Sequence, residues 1–304
     1  SPQWCPDFRG GLGSPFFSYY QPAFFYVASL VPATVPPAKM LGVTVWLFAM
    51  TGYLGMVALV ARFFDQLSGV VAGSILLLSP YCGTELYVRG DLSEFAAMMC
   101  VPPTLWAFFS CIDQSRRGSW LALAGFGGLL VCTHPCIALP TFGLLGMMAL
   151  FFLVDRATRW NAVRAMAALA LGGCLAGFYC LPVFLEIDLV GHEAAFTEFY
   201  HYSNHFISPL RLLGSYTRQT IIPFTLGNMV LITLLANAGW LGYRWKQLQA
   251  SQRRLLVGLG VITVVCVFLM TPFSRVVWQN VHLLERLQFP WRLLAVVTVS
   301  AAGI

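Results

Sequence analysis

Apolar residues fall in long blocks along this chain, without the alternation of a half-buried strand, and the blocks have the length of membrane-crossing helices. Runs at 38–61, 67–80, 95–112, 119–133, 136–153, 165–184, 226–243 and 255–272 meet or approach that length, and a further run begins at 292. A helix needs about 20 mostly apolar residues to cross a bilayer. The stretch 119–153 is too long for one crossing at about 1.5 Å per residue. His134-Pro135 divides it, because proline disfavours a helical residue before it. The pattern predicts an all-α, polytopic transmembrane bundle, a single domain over residues 1–304, with eight crossings and the start of a ninth. The segment 16–33 is apolar and aromatic with Pro22 inside it. It reads either as a crossing or as a helix lying in the interface, where Tyr and Trp are favoured.

Composition supports the membrane reading and removes other classes. Hydrophobic residues make up 58% of the chain and charged residues 10%, with a mean hydropathy of +0.74. Soluble domains carry about 25% charged residues. A soluble enzyme, a disulfide-stapled secreted domain and a nucleic-acid binder are excluded. The chain opens at Ser1 and stops at Ile304 inside an apolar run, so it is expected to be a piece of a longer membrane protein.

The net charge of +6 becomes informative once it is divided between the two sets of loops. The short loops 62–66, 113–118, 154–164 and 244–254 carry ten basic residues against Asp65, Asp113 and Asp155. The other set is 1–37, 81–94, 134–135, 185–225 and 273–291, with the span edges Lys39 and Arg292. It carries eight basic residues, nine of the twelve carboxylates and all five histidines. Short basic loops face the cytoplasm under the positive-inside rule. The second set is therefore expected outside, on the extracytoplasmic face of an inner membrane, and groups able to do acid–base chemistry gather there.

Within loop 81–94, Glu85, Arg89, Asp91 and Glu94 lie within ten residues. Ionisable groups at the mouth of a bundle are candidates for function. Asp91 or Ser93 could equally cap the next helix, with Glu94 complementing its dipole. In Leu284-Glu285-Arg286-Leu287-Gln288-Phe289-Pro290-Trp291-Arg292, Pro290 suits a first helical turn. Arg292 then sits at a span edge, where it would either grip a lipid phosphate or snorkel to headgroups. His201 and His205 are four apart, which suits a surface turn better than a metal pair, since no HExxH pattern accompanies them. His134 reads as a hydrogen-bonded turn residue. The nine cysteines form no CxxC pair, and there is no phosphate-binding, dinucleotide-binding or GxSxG signature. No metal site is predicted; a divalent ion is left open, and no other cofactor is indicated.

Three stretches together carry a resemblance. They are Pro2-Gln3-Trp4-Cys5-Pro6-Asp7 with Gly11-Leu12-Gly13-Ser14-Pro15-Phe16-Phe17-Ser18-Tyr19-Tyr20-Gln21-Pro22, then Arg89-Gly90-Asp91-Leu92-Ser93-Glu94-Phe95-Ala96, then Gln288-Phe289-Pro290-Trp291-Arg292. In order, they resemble the bacterial multi-spanning membrane proteins called 6-pyruvoyl-tetrahydropterin synthase-related, which look like a branch of the glycosyltransferase-C superfamily. The zinc–histidine cluster of the soluble synthase is not seen. The resemblance implies an interfacial helix over 16–33, a large first outer loop whose catalytic Asp would lie before Ser1, and a polyprenyl-phosphate-linked sugar donor used outside. Asp7 matches a later position of that loop.

An inverting sugar transfer needs a carboxylate to take the acceptor proton and positive charge to stabilise the departing phosphate. Asp91, Glu94 and Asp7 are the candidate catalytic residues. Arg89, Glu85, Arg286, Arg292, His134, Tyr19 and Tyr20 are the candidate substrate-binding residues. The expected partners are membrane lipid, a polyprenyl-phosphate sugar donor and an envelope glycan or lipid acceptor, with no nucleic acid. A transporter or flippase of lipid-linked precursors is the rival from another class. Inverted repeats and mid-span charges would favour it, and the sequence has neither. A non-catalytic scaffold is the third reading.

Overall fold

A computed structural model describes residues 4–114, 117–186, 200–213, 225 and 227–304. All the regular structure among them is helical, apart from a single antiparallel bridge pairing Cys5 with Ser14. Each of the nine apolar runs forms a helix, one of them broken in two. In chain order the principal helices are α1 (Pro22–Ser29), α2 (Pro37–Ala61), α3 (Gln66–Leu77), α4 (Leu92–Gln114), α5 (Arg117–Thr133) and α6 (Pro135–Val154). They continue as α7 (Arg159–Leu175), α8 (Gly177–Leu185), α9 (Asn228–Arg244), α10 (Ala250–Met270) and α11 (Leu293–Ala302).

The expected eight crossings and part of a ninth are not reached on length and apolarity. Among the described residues α2, α4, α6 and α10 suffice alone, and the number rises to six if each of two bent pairs is one span. One pair is α3 with Pro80–Arg89, bent by 41°; the other is α7 with α8, bent by 62°. The first break follows from Ser79-Pro80. Ser79 is extended and caps the next turn by accepting from the Cys82 N–H, and Pro80 cannot continue the preceding helix. Helices α5 and α9, at 17 residues each, stand at the lower end of the length that crosses a bilayer.

The segment 16–33 is not one helix. It breaks into Phe16–Tyr19 and α1, with Tyr20 and Gln21 extended ahead of Pro22. At eight residues α1 is about 12 Å long, too short to cross a core of about 30 Å. Its Phe24 is fully buried and stacks on Phe48 of α2.

Helix α4 is the axis of the molecule, with 94% of its central stretch buried. It packs against α2, α5, α7 and α11. Small residues permit these approaches, since helices in a bilayer associate through close van der Waals contact. Gly52 and Gly55 of α2 face Met99 and Pro103 of α4, and Gly172 of α7 lies against the backbone of α5. A Cβ on Gly172 would fall 2.9 Å from the Ala124 carbonyl oxygen and 3.0 Å from the Gly128 nitrogen. Backbone cannot swing aside as a flexible side chain can. Gly172→Val is therefore expected to cost about 1–3 kcal/mol of stability, read as a lowered unfolding midpoint in detergent. An unchanged midpoint would mean that α5 and α7 are not this close.

The two sets of loops gather at opposite ends. At one end Arg62 and Arg254 approach Asp113, Gln252 donates to the Phe63 carbonyl, and Asn161 donates to the Ile112 carbonyl. At the other end lie the 80–94 connection, His134 and residues 287–292. The described contacts thus join members of the short basic loops with one another, and residues of 80–94, 134 and 287–292 with one another.

Candidate functional site

The site starts from an irregular connection. Residues 84–89 form a π-helical turn, a geometry common at functional positions. Gly90 ends it at φ +65°, in the left-handed region open to glycine at little cost. The Asp91 N–H then donates to the Glu85 carbonyl, folding the chain back on itself. Asp91 caps α4, its Oδ1 accepting from the Glu94 N–H at 2.9 Å. The capping reading is therefore correct for Asp91, and the cap fixes Glu94 in the first turn, facing inward.

Four carboxylate–guanidinium contacts converge there. Arg89 meets Glu85, Asp91 at 3.3 Å and Glu94 at 3.0 Å. Arg292, from the turn that opens α11, reaches the same Glu94 Oε2 through Nε at 3.3 Å. The other oxygen of Glu94 accepts from the Tyr81 hydroxyl at 2.8 Å. Arg292 also donates to the Leu287 carbonyl at 2.8 Å and to Gln288 Oε1 at 3.2 Å. Gln288 sits at φ +60°, a strained setting for a residue with a side chain. The Arg89 guanidinium lies 4.3 Å over the Trp291 ring and that of Arg292 lies 4.9 Å over Phe289. The two rings stack on each other at 4.9 Å. The aromatic pair thus backs both cations, and cation–π attraction is strongest away from water.

Glu85 and Glu94 are fully buried, while Asp91 keeps 26% of its side chain exposed. Asp91 is therefore the most accessible of the three carboxylates. His134 is buried at the N-cap of α6, its Nε2 3.9 Å from Glu94 Oε2, and its Nδ1 has no hydrogen-bond partner among the described residues. Glu85 Oε1 is likewise unpartnered. Asp91, His134 and Arg292 stand at the starts of α4, α6 and α11, so three helix N-termini begin at this cluster, where partial positive charge favours carboxylates.

Burial holds His134 well below the ordinary histidine range; Arg292 and Arg89 push the same way and Asp91 opposes them. The ring is neutral when folded and binds a proton readily only when unfolded. Its contribution to stability is present above the ordinary value of 6.5 and is lost as pH falls from there toward about 3. The expected slope approaches 1.4 kcal/mol per pH unit for one proton, about the value of a single pKa unit. His134→Gln should flatten the unfolding midpoint between pH 7 and 5; a slope as steep as that of the parent would place the proton elsewhere.

Ligand-capable atoms of Asp91, Glu94 and His134 lie within 4.8 Å of one another, near enough to share a divalent cation. Arg89 and Arg292 already occupy the Glu94 oxygen nearest His134, so a cation would compete with two guanidiniums.

Of the residues singled out in the sequence, Glu85, Arg89, Asp91, Glu94, His134 and Arg292 come together. Asp7 is exposed and lies outside these ion pairs, and Tyr20 is exposed and stacks on Phe16. The Arg286 side chain is exposed, and its carbonyl accepts from Cys136 Sγ at 3.5 Å. Tyr19 closes the helix Phe16–Tyr19, and its side chain is outside the described part. His201 and His205 flank a 3-10 turn; His201 Nδ1 meets Ser203, and the His205 ring meets Phe289 at 4.7 Å. His192 and the carboxylates Asp188, Glu193 and Glu198 lie outside the described residues. Tyr81 and Gln288 were not foreseen as parts of the site. The only sequence signal for Gln288 was its place in Gln-Phe-Pro-Trp-Arg.

A family model described as the 6-pyruvoyl-tetrahydropterin synthase related domain, a membrane protein, matches residues 17–301. The chain belongs to this family. The match covers every element of the cluster, from the 80–94 connection to Arg292, and confirms the family expected from the sequence. No individual curated protein matches the chain significantly. What is established for this member of the 6-pyruvoyl-tetrahydropterin synthase-related family is thus a helical membrane protein with a buried charged cluster at one end.

Proposed function

We propose that this family member is a membrane glycosyltransferase with a glycosyltransferase-C-like fold. It would transfer a sugar from a polyprenyl-phosphate donor to an envelope glycan or lipid acceptor at the extracytoplasmic face of the inner membrane. The observation that carries the proposal is the joining of three carboxylates and two guanidiniums over the first turns of α4 and α11, at the end opposite the basic loops. Such a transfer needs a proton acceptor and a fixed positive field at the departing phosphate, and both are held here before substrate arrives. Asp91 takes the acceptor proton, being the carboxylate within reach of solvent. Glu94, saturated by Tyr81, Arg89 and Arg292, orients the guanidiniums. Arg89 and Arg292 face the donor phosphate, backed by Trp291 and Phe289.

The test is a transfer assay on the intact protein in vesicles, with radiolabelled polyprenyl-phosphate sugars supplied outside and release of polyprenyl phosphate followed. Sugar transfer that is lost in Arg292→Gln is the expected result. Vesicles that move the labelled donor across the bilayer without breaking its sugar–phosphate bond would replace the enzyme reading with transport.

A further inference from the structure

A second site lies at the opposite end of the bundle, away from the charged cluster. Helices α6 and α10 enclose an apolar groove of about 470 Å³, walled by Leu144, Met148, Phe152, Val257, Val261 and Val265. Gly258 forms part of its wall: a Cβ there would strike Met148 Cε at 2.3 Å, so this face of α10 sits closely against α6. Arg253 and Arg254 close the groove at one end. Arg254 also lines an adjoining polar cavity of about 340 Å³ with Arg62, Phe63, Asp113 and Ser251.

The charge there is unbalanced. Asp113 meets both Arg254, at 3.5 Å, and Arg62, at 3.9 Å. Arg253 donates to the Lys246 carbonyl, which carries no charge. Two guanidiniums thus share one carboxylate, and Arg253 adds a third positive charge beside them with no carboxylate partner among the described residues. The Nε groups of Arg253 and Arg254 are buried and have no hydrogen-bond partner among the described residues. Guanidinium matches phosphate geometry in two-pronged fashion. The groove from Arg253 to Val265 is about 18 Å long at the rise of a helix, close to half of a hydrocarbon core of about 30 Å. That is the depth of one leaflet.

We propose that this groove binds an anionic diacyl phospholipid, with an acyl chain between α6 and α10 and the phosphate on Arg253 and Arg254. The site is independent of the glycosyltransferase reading. A free anion would use the arginines and leave the groove unused, whereas a zwitterionic lipid would use the groove and bring no net negative charge to the patch.

The delipidated intact protein in detergent can be titrated with dioleoylphosphatidylglycerol or dioleoylphosphatidylcholine and followed by native mass spectrometry. Phosphatidylglycerol is expected to bind roughly tenfold more tightly, in keeping with the attraction of two basic residues for an anionic lipid. Arg253→Gln with Arg254→Gln should remove that preference and leave phosphatidylcholine binding in place. Val261→Trp should weaken both lipids, because Val261 is half-exposed on the groove wall and the larger ring fills the space. Equal binding of the two lipids, or a preference that survives the arginine substitutions, would overturn the proposal. So would undiminished binding to Val261→Trp, or displacement of the lipid by millimolar inorganic phosphate.

Discussion

Glu94→Gln is expected to lower the stability of the folded chain by about 3–5 kcal/mol, the usual cost of breaking a buried ion pair by removing one partner. Glu94 is fully buried and receives Tyr81, Arg89 and Arg292. Glutamine keeps the volume but removes the charge that two desolvated guanidiniums face. Arg89 retains Glu85 and Asp91 as partners, while Arg292 loses the one carboxylate it pairs with among the described residues. The loss would appear as a lower unfolding midpoint in detergent and as reduced yield. Glu285→Gln is the comparison: its pair with His282 is exposed, and exposed pairs contribute little. If the two variants melted alike, the ion-pair network around α4 would not hold the helices together.

Asp91→Asn should behave in the opposite way. Asparagine caps a helix about as well as aspartate, so the bond from the Glu94 N–H survives and α4 keeps its first turn. What disappears is the proton acceptor. In the transfer assay the expected loss is roughly 10²–10⁴-fold, the range for a general base, with an unfolding midpoint close to that of the parent. Full transfer by Asp91→Asn would remove Asp91 from catalysis and pass the role to Glu85, Glu94 or a carboxylate beyond the described residues. The two substitutions separate the residue that holds the site together from the one proposed to react.

Most of the charged members of the cluster were visible in the sequence because charge is scarce in so apolar a chain. Glu85, Arg89, Asp91, Glu94 and Arg292 stand out against their neighbours. Which of them touch was not visible, since Glu94 and Arg292 meet only when α4 and α11 pack side by side. Tyr81 and Gln288 were hidden for the same reason: a hydroxyl or amide has no pattern until its partner is in place. Asp7 and Tyr20 belonged to well-marked motifs, yet both lie on the surface outside the cluster. The helices were legible from apolar blocks, and the run 67–80 stops close to the break at Ser79, but the break at Ala176 inside the run 165–184 was not legible. A run of apolar residues records where the chain is comfortable in lipid, and says little about where a helix axis turns. The single helix over 16–33 breaks on that point, and the described helices support four to six crossings where eight and part of a ninth were expected.

The bond from Arg292 to Glu94 joins residues 198 positions apart, and this bears on how the protein is made. A ribosome adding about 5–20 residues per second takes roughly 10–40 s to pass from one to the other. Until α11 has been made, Arg89 is the only guanidinium of the cluster available to Glu85, Asp91 and Glu94. The cluster is complete only once α11 has been made and packed beside α4, so the site reports the docking of two helices that are far apart in the chain.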